Sequence, residues 1–318
     1  MTDENYNGIA QDPRSDDKKA LDYSHEELAG AITLPEVKWV DVKNKQLKSY
    51  IIQNQDGSSS CVAQATSKLL AIHEVMEGRD YTQLCPKFIY GLRSNYPDGG
   101  MWLPNALEIA CKSGTCKEST IPCDNKGESF MNDRNIPKEA IDEAKQFRGK
   151  FYFEIKGRNI EDIASVLEQG YGVLLGFRFD YDEWTEVPFL NPNSQKKCGH
   201  GIAAVDYGIY QGKKALVIED SWGPNYGKGG RRFITEEFLN ARCFYAGYVT
   251  SLPNYVFKNM LRIGSKGLDV KMLQHRLNIK VDGIFGPQTE KAVKDFQIKN
   301  NIKIDGIVGP LTMSLLNK

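Results

Sequence analysis

Residues 54–63 read NQDGSSSCVA, a polar turn that runs directly into an apolar helical pattern. That pattern places Val62 and Leu69 on one stripe of a helix that ends near Gly78. A serine before the helix can cap it, and Cys61 in its first turn lies at the positive end of the helix dipole. The field there favours thiolate, the nucleophilic form of cysteine. Cys61 is therefore either a catalytic nucleophile or a small buried residue.

A partner for Cys61 must come from only four histidines. Three of them lie in other segments or too far along the helix: His25, His275 and His73. Twelve residues of helix, about 18 Å, separate Cys61 from His73. His200 remains, in the stretch GHGIAAV (199–205), where it begins a predicted strand between two glycines. A histidine at a strand start is often structural, but pairing with Cys61 indicates a general base.

Asp220 is a candidate for a third catalytic group. The predicted strand from Ile202 turns near residues 211–212 and returns through ALVIE (215–219). Hairpin pairing then brings Asp220 back to the end at which His200 lies. A carboxylate there can accept the imidazole N–H, fix its tautomer and stabilise imidazolium. The alternative is an aspartate that only supports the turn after the strand.

The order of the secondary-structure patterns predicts an α+β domain of two lobes. Two helical patterns come first and four strand patterns follow: 62–78 and 104–112, then 151–155, 172–177, 202–209 and 215–219. Helices first and strands later favour a helical lobe and a β lobe. Catalytic sites commonly lie in the cleft between two such lobes.

The composition excludes several classes of protein. Lysine plus arginine and aspartate plus glutamate number 41 each among 318 residues, so we expect no nucleic-acid or membrane partner. No stretch approaches the roughly 20 consecutive apolar residues that cross a bilayer. Residues 1–20 lack the basic start and apolar stretch of a secretory signal, which predicts synthesis in the cytoplasm without a signal peptide.

Seven cysteines are thinly spread over the chain, at positions 61, 85, 111, 116, 123, 198 and 243. An odd number argues against a fully paired disulfide framework and leaves at least one thiol free. A metal could bind Cys111, Cys116 and Cys123, but their spacing is not that of structural zinc sites and no histidine is near. We predict neither a metal ion nor an organic cofactor.

A repeat defines the C-terminal part of the chain, where residues 281–289 (VDGIFGPQT) return as 304–312 (IDGIVGPLT). Each Asp-Gly predicts a tight turn, and each Gly-Pro-x-Thr predicts a helix start. With a further helical stripe before the first copy, this predicts a small three-helix domain near the lower size limit for independent folding. The predicted division is 1–32, 33–253, a linker at 254–259, and 260–318.

Four ordered sequence blocks resemble the papain-like cysteine peptidases over about residues 33–250. They are the stretches around Cys61 and His200, together with DSWG (220–223) and DGGMW (98–102). Any one block would be a weak signal, but four in the family's order are a strong one. The resemblance implies a two-lobed peptidase in which a helical lobe faces a β-barrel-like lobe.

The resemblance also implies roles for individual residues. It assigns catalysis to four of them: Cys61, His200, Asp220 and Gln55. Gln55 stands six residues before the cysteine, where the family has a glutamine that donates to the oxyanion hole. The glycine strip would pair with the substrate backbone, and its neighbours would border a substrate side-chain pocket. The substrate-binding set is Gly99, Gly100, Met101, Trp102 and Trp222.

Three positions depart from the family's pattern. Ser58 stands where the family has a cysteine, so the usual disulfide partner is missing, and Val62 stands where it has an aromatic residue. Asp220 stands where it has asparagine and adds a negative charge beside the imidazole. That charge either favours the thiolate–imidazolium pair or makes His200 too basic to work well.

The C-terminal repeat resembles the peptidoglycan-binding module of bacterial and phage cell-wall hydrolases over nearly all of residues 260–318. Together the two resemblances imply an endolysin-like cysteine endopeptidase, monomeric, that binds peptidoglycan and cuts its peptide cross-links. It would act at the wall after release from the cell. The alternatives are a peptidase of ordinary proteins, such as a virion or maturation protease, and a non-catalytic wall-binding protein. The module itself could also be a plain packing unit.

The N-terminal segment, residues 1–32, is polar except for LAGAI (28–32), with a short helix possible at 21–28. It is predicted to be either a solvated tail or a short pro-segment. In the second case it lies across or beside the cleft and slows the enzyme.

Overall fold

The structure, a computed structural model, describes residues 8–19, 22–30, 32, 34–251, 255–257 and 259–317. They form two compact units. The first takes its residues from Met1–Pro13 and Leu34–Ser251, the second from Arg14–Thr33 and Leu252–Lys318. The predicted segment 1–32 and linker 254–259 include positions outside the described residues, and the boundaries stay predictions. Within the described ranges, no helix is long and apolar enough to cross a membrane.

The chain contains the following described helices, in order: α1 (Asp16–Lys19), α2 (His25–Ala29), α3 (Cys61–Met76), α4 (Pro86–Gly91), α5 (Leu103–Lys112), α6 (Glu128–Met131), α7 (Lys138–Ala144), α8 (Ile160–Glu168), α9 (Glu236–Arg242), α10 (Leu268–Arg276), α11 (Pro287–Lys299) and α12 (Pro310–Leu316). The strands are β1 (Phe151–Glu154), β2 (Val173–Phe179), β3 (Cys198–Tyr210), β4 (Lys213–Glu219), β5 (Arg231–Thr235) and β6 (Cys243–Thr250). Single 3₁₀ turns lie at Val42–Asn44 and Tyr181–Glu183.

Helix α3 is the centre of the helical part of the first unit. Of its 16 residues, 14 are buried, so the single apolar stripe predicted from the sequence is too narrow. Polar positions on the helix therefore need partners inside the protein. Lys68 pairs with Glu219 at 2.7 Å, and His73 Nε2 lies 2.8 Å from Ser251 Oγ. His73 is thus a structural residue, as its distance along the helix predicts.

The β part of the first unit is one antiparallel sheet of six strands in the order β1-β6-β2-β3-β4-β5. The predicted hairpin between β3 and β4 is present, and both turn residues, Gln211 and Gly212, have the positive φ that a two-residue hairpin favours. Its register pairs Ala203 with Glu219, so Asp220 follows β4 at the end where His200 lies. Strands β5 and β6 are additions to the four predicted strands.

The second unit contains the three predicted C-terminal helices, α10 to α12, together with α1 and α2. Its core includes Leu28 of α2 and Tyr255 and Phe257, which lie within the predicted linker and are buried. Lys271 of α10 donates to the Asp22 backbone carbonyl at 3.0 Å. Part of the N-terminal segment is therefore packed into the C-terminal unit.

The polar groups of the two Asp-Gly turns of the repeat are hydrogen-bonded to buried glutamine side chains within the domain. Gln297 is 1% exposed, and its Oε1 accepts from the N–H groups of Asp305 and Gly306 at 3.1 and 2.9 Å. Its Nε2 donates to Asp305 Oδ1 and to the Ile307 carbonyl at 2.9 Å each. Gln274 makes the equivalent bonds in the first copy. These turns are therefore structural parts of the domain.

We expect Gln297→Leu to destabilise the second unit by about 3 kcal/mol, because it leaves two buried backbone N–H groups without their acceptor. The matched control is Gln288→Leu in the same helix, where the side chain is exposed and the change should stay within about 0.5 kcal/mol. Thermal unfolding of the full chain measures both. Equal effects would show that the glutamine network does not support the repeat.

Candidate active site

Cys61 is the first residue of α3 and follows Ser60, so it lies at the positive end of that helix, as predicted. Its Sγ accepts a hydrogen bond from the Gly201 N–H at 3.3 Å. The strand can approach this closely because residue 201 lacks a side chain: a Cβ there would lie 2.8 Å from Val62 Cγ2. The glycine after His200 thus sets the distance between strand and helix.

His200 lies on β3 and is 2% exposed. Its Nε2 is 2.7 Å from Asp220 Oδ1, which leaves Nδ1 for the hydrogen bond that the ring makes with Cys61. The Trp222 ring covers the imidazole, with ring centroids 4.7 Å apart and 30° between the planes. The structure therefore brings Cys61, His200 and Asp220 together in the predicted order.

The Asp220 carboxylate is buried and accepts four hydrogen bonds. Oδ1 accepts from His200 and from the Ser221 N–H, and Oδ2 accepts from Trp184 Nε1 at 2.9 Å and Arg232 Nε at 2.8 Å. The sequence reading did not identify Trp184 or Arg232. Arg232 reaches the aspartate because β4 and β5 pair and place it opposite Ile218, two residues before Asp220.

Burial disfavours the charged forms of both His200 and Asp220, but their mutual attraction outweighs it. The Asp220 charge and hydrogen bond, with a smaller contribution from Cys61, raise the pKa of His200 to about 9. His200 and Arg232 in turn hold the pKa of Asp220 well below its usual range. The aspartate at position 220 therefore makes His200 more basic, and which of the two expected effects follows from this stays a prediction.

Gln55 lies beside this group but is itself hydrogen-bonded. Its Oε1 accepts from Ser221 Oγ at 2.7 Å, its backbone N–H donates to the Ser221 carbonyl at 2.8 Å, and its Nε2 donates to the Ser58 carbonyl. An amide nitrogen has two hydrogens, so one remains for an oxyanion. Its predicted role there stays a prediction.

The predicted substrate-binding residues lie in different surroundings. The N–H of Gly100 donates to Tyr90 Oη at 3.1 Å, a Cβ on Gly99 would lie 3.3 Å from Ser59 Oγ, and Met101 is buried. Trp102 is half-buried at the start of α5, whereas Trp222 packs on His200. Their roles toward a substrate stay predictions.

The family described as "Papain family cysteine protease" matches residues 36–246, two thirds of the chain. The chain belongs to the papain family. The domain described as "Putative peptidoglycan binding domain" matches residues 266–316. Both predicted resemblances are thus confirmed, and the cysteine peptidase class with them.

Individual papain-family proteins are distant in sequence. Chymopapain from Carica papaya is 24% identical over 215 residues. The match covers 65% of this chain and 57% of chymopapain. The chain thus spans less than two thirds of that relative. Xylellain, a cysteine protease from Xylella fastidiosa, matches with a TM-score of 0.62 at 17% identity over 77% of this chain and 97% of its own. Digestive procathepsin L 3 of Tenebrio molitor matches with a TM-score of 0.58 at 18% identity over 79% of each chain. These likenesses confirm the fold class.

The N-terminal segment of this papain-family chain crosses the cleft at residues 8–10. Gly8 donates its N–H to the Gly199 carbonyl at 3.2 Å and accepts from the Met101 N–H at 3.0 Å. Ala10 donates to the Met101 carbonyl at 3.1 Å, so both backbone groups of Met101 are occupied. A Cβ on Gly8 would lie 2.2 Å from Cys61 Sγ, so only glycine fits over the thiol. That this segment slows the enzyme stays a prediction.

We expect Gly8→Ala to raise cleavage of a small peptide several-fold, because the methyl group and the Cys61 sulfur cannot occupy the same space. Gly30→Ala is the matched control, since a Cβ there meets only ordinary contacts at 3.7 Å. Initial rates on a fluorogenic peptide measure both variants. A Gly8→Ala rate equal to that of the unchanged protein would mean that the segment does not limit access to Cys61.

We expect activity to fall as the pH rises through about 9, because His200 then loses the proton that it must donate. Asp220→Asn keeps a hydrogen-bond acceptor but removes the anion. The pKa of His200 therefore falls, and the alkaline limb of kcat/KM moves to lower pH. Asp182→Asn, at an exposed carboxylate, is the control and should leave the limb in place. An unmoved limb in a folded Asp220→Asn protein would exclude the aspartate charge as its cause.

Proposed function

We propose that this papain-family protein is a cysteine endopeptidase that hydrolyses the peptide cross-links of bacterial peptidoglycan. The observation that carries the proposal is the presence, on one chain, of the Cys61–His200–Asp220 group and a peptidoglycan-binding domain at residues 266–316. The domain would bind the enzyme to the bacterial wall, and the peptide bridges of the wall are the substrate that a peptidase can cut there.

The proposed reaction has two steps. The Cys61 thiolate attacks the carbonyl carbon, His200 protonates the leaving amine, and the C–N bond breaks to leave a thioester. Water then attacks the thioester while His200 takes its proton, and breakage of the C–S bond releases the acid and restores the thiolate–imidazolium pair. The oxyanion formed in each step would accept hydrogen bonds from Gln55 and from the Cys61 N–H, a helix-start donor without an intrahelical acceptor. No cofactor enters either step.

The substrate must displace the N-terminal segment before it can react. Gly8 and Ala10 use the N–H and C=O of Met101, which are the backbone groups that an extended peptide would pair with in the cleft. A peptide bound in this way would bring its carbonyl carbon to the position that Gly8 now occupies over Cys61. The predicted role of the strip 99–102 thus rests mainly on its Met101 backbone.

The proposed place of action is the bacterial wall, reached after release from the cell that makes the protein, as in endolysin-like lysis. The proposed active form is a monomer, because catalytic and wall-binding parts are already joined in one chain. Attachment to the wall raises the local concentration of peptidase at an insoluble substrate without changing the chemistry at Cys61.

The test is digestion of purified peptidoglycan by the full chain, with Cys61→Ala as the inactive control and mass spectrometry of the released fragments. We expect new amino and carboxyl termini within the cross-link peptides and intact glycosidic bonds. Casein is digested in parallel. Cleavage of casein but not of peptidoglycan would replace the proposal with a peptidase of ordinary proteins, and fragments with broken glycan chains would contradict it.

Deleting the module should lower wall digestion about tenfold or more and change cleavage of a soluble peptide far less. Residues 1–253 are compared with residues 34–253, because the deletion also removes the C-terminal partners of α1 and α2. The second truncation separates that effect from the loss of wall binding. Equal losses on both substrates would mean that the module is a structural part of the enzyme.

A further inference from the structure

Three cysteines of the first unit converge at one buried point, away from the proposed catalytic group. Cys85 Sγ lies 3.3 Å from Cys123 Sγ, and the Cys116 thiol interacts with the Cys85 thiol. All three are 0% exposed. The backbone holds them in place, because the Cys85 N–H donates to the Cys116 carbonyl at 2.9 Å. Cys111, which the sequence reading grouped with Cys116 and Cys123, is not among the residues that meet here.

A carboxylate faces the same point. Glu118 Oε2 lies 3.1 Å from Cys123 Sγ, while Oε1 accepts from the N–H groups of Cys123 and Asp124 at 2.6 and 2.7 Å. Two backbone bonds therefore fix one oxygen and direct the other toward the sulfurs. The donor atoms of Cys85, Glu118 and Cys123 all lie within 4.8 Å of one another.

The surroundings of Cys85 suit a negatively charged sulfur. Cys85 is the residue before α4, so it lies beside the backbone N–H groups of Lys87 and Phe88 at the start of that helix. The Lys87 ammonium donates to the carbonyls of Phe130 and Asp133 at 2.6 and 2.7 Å and is buried beside the cluster. N–H donors and a fixed cation both stabilise thiolates that lie close together.

We propose that Cys85, Cys123 and Glu118 bind one divalent metal ion of the zinc class, with Cys116, which lies beside Cys85, moving in as the fourth ligand. Three thiolates and a carboxylate are a four-coordinate set that zinc accepts, with Zn–S bonds of about 2.3 Å and sulfurs therefore about 3.8 Å apart. The two measured sulfurs need to separate by about half an ångström to reach that distance. Binding releases the thiol protons to solvent. The four anionic ligands exceed the ion's charge by two, and Lys87 offsets part of that excess.

The ion would stabilise the turn at residues 54–60, which leads to Cys61. The residues next to Cys123 hold the start of that turn: Asp124 Oδ1 accepts from the Asn54 N–H at 2.7 Å, and the Asn125 N–H donates to the Asn54 carbonyl at 2.9 Å. Asn54 precedes Gln55 in the turn that leads to Cys61. The role is therefore structural, and the ion takes no part in the peptidase chemistry.

The test uses the untagged full chain carrying Cys61→Ala, which removes the other thiol that could bind metal beside a histidine. Elemental analysis of protein purified without chelators should find about one zinc per chain. Cobalt added to the stripped protein should give a thiolate-to-cobalt charge-transfer band and raise Tm. Adding Cys123→Ser should abolish the band, whereas Cys111→Ser, a cysteine outside the cluster, should keep it.

Two results would overturn the proposal. One is a stripped protein that takes up neither zinc nor cobalt stoichiometrically while all its thiols titrate after denaturation. The other is a protein that lacks two titratable thiols because Cys85 and Cys123 have formed a disulfide. If Cys123→Ser fails to fold, the zinc content, the cobalt spectrum and the Tm of the chain with an intact cluster still decide the question.

Discussion

A buried carboxylate is stable only when hydrogen-bond donors surround its charged oxygens, and in this protein Asp220 carries such a carboxylate. Its four hydrogen bonds tie β3, the end of β4, β5 and the loop that carries Trp184 to one point. Removing one donor would leave a buried charge without its partner, which costs far more than the bond contributes. The same bonds fix the imidazole of His200 against Cys61. The geometry of the proposed catalytic group and the packing of the β part thus rest on one side chain.

Each departure from the papain-family pattern has a local partner. Arg232 lies 2.8 Å from the aspartate that stands in place of asparagine, so the added charge is neutralised within the site. Where a disulfide partner is missing, Ser58 Oγ hydrogen-bonds Ser60 Oγ at 2.7 Å and holds the turn before Cys61. The small Val62 leaves room for β3 to approach the helix at Gly201.

The sequence predicts the parts of this site that depend on local pattern. The polar turn before an apolar helical pattern fixes Cys61 as the first residue of α3, although the predicted capping bond from Ser60 is not formed. A two-residue turn with regular strands fixes the register that returns Asp220 to His200. It does not predict Arg232 or the cysteine cluster, because both depend on contacts between segments whose pairing no local pattern reveals. Cys85 and Cys123 are 38 residues apart, and residues 83–85 are brought to this part of the chain by backbone pairing with residues 116–118. Strand β5 begins with two arginines, a polar start that hides its place in the sheet.

The N-terminal segment contributes residues to both units of the chain. Residues 8–10 cover Cys61 in the first unit, while the residues that follow belong to the second, where Arg14 pairs with Asp22 at 2.7 Å and Leu28 is buried. Gly8 and Ala10 are held by three backbone hydrogen bonds, each worth about 1 kcal/mol net. A peptide that forms the same bonds and adds side-chain contacts can therefore replace them. The space over the Cys61 sulfur is therefore contested between Gly8 and any peptide that pairs with Met101.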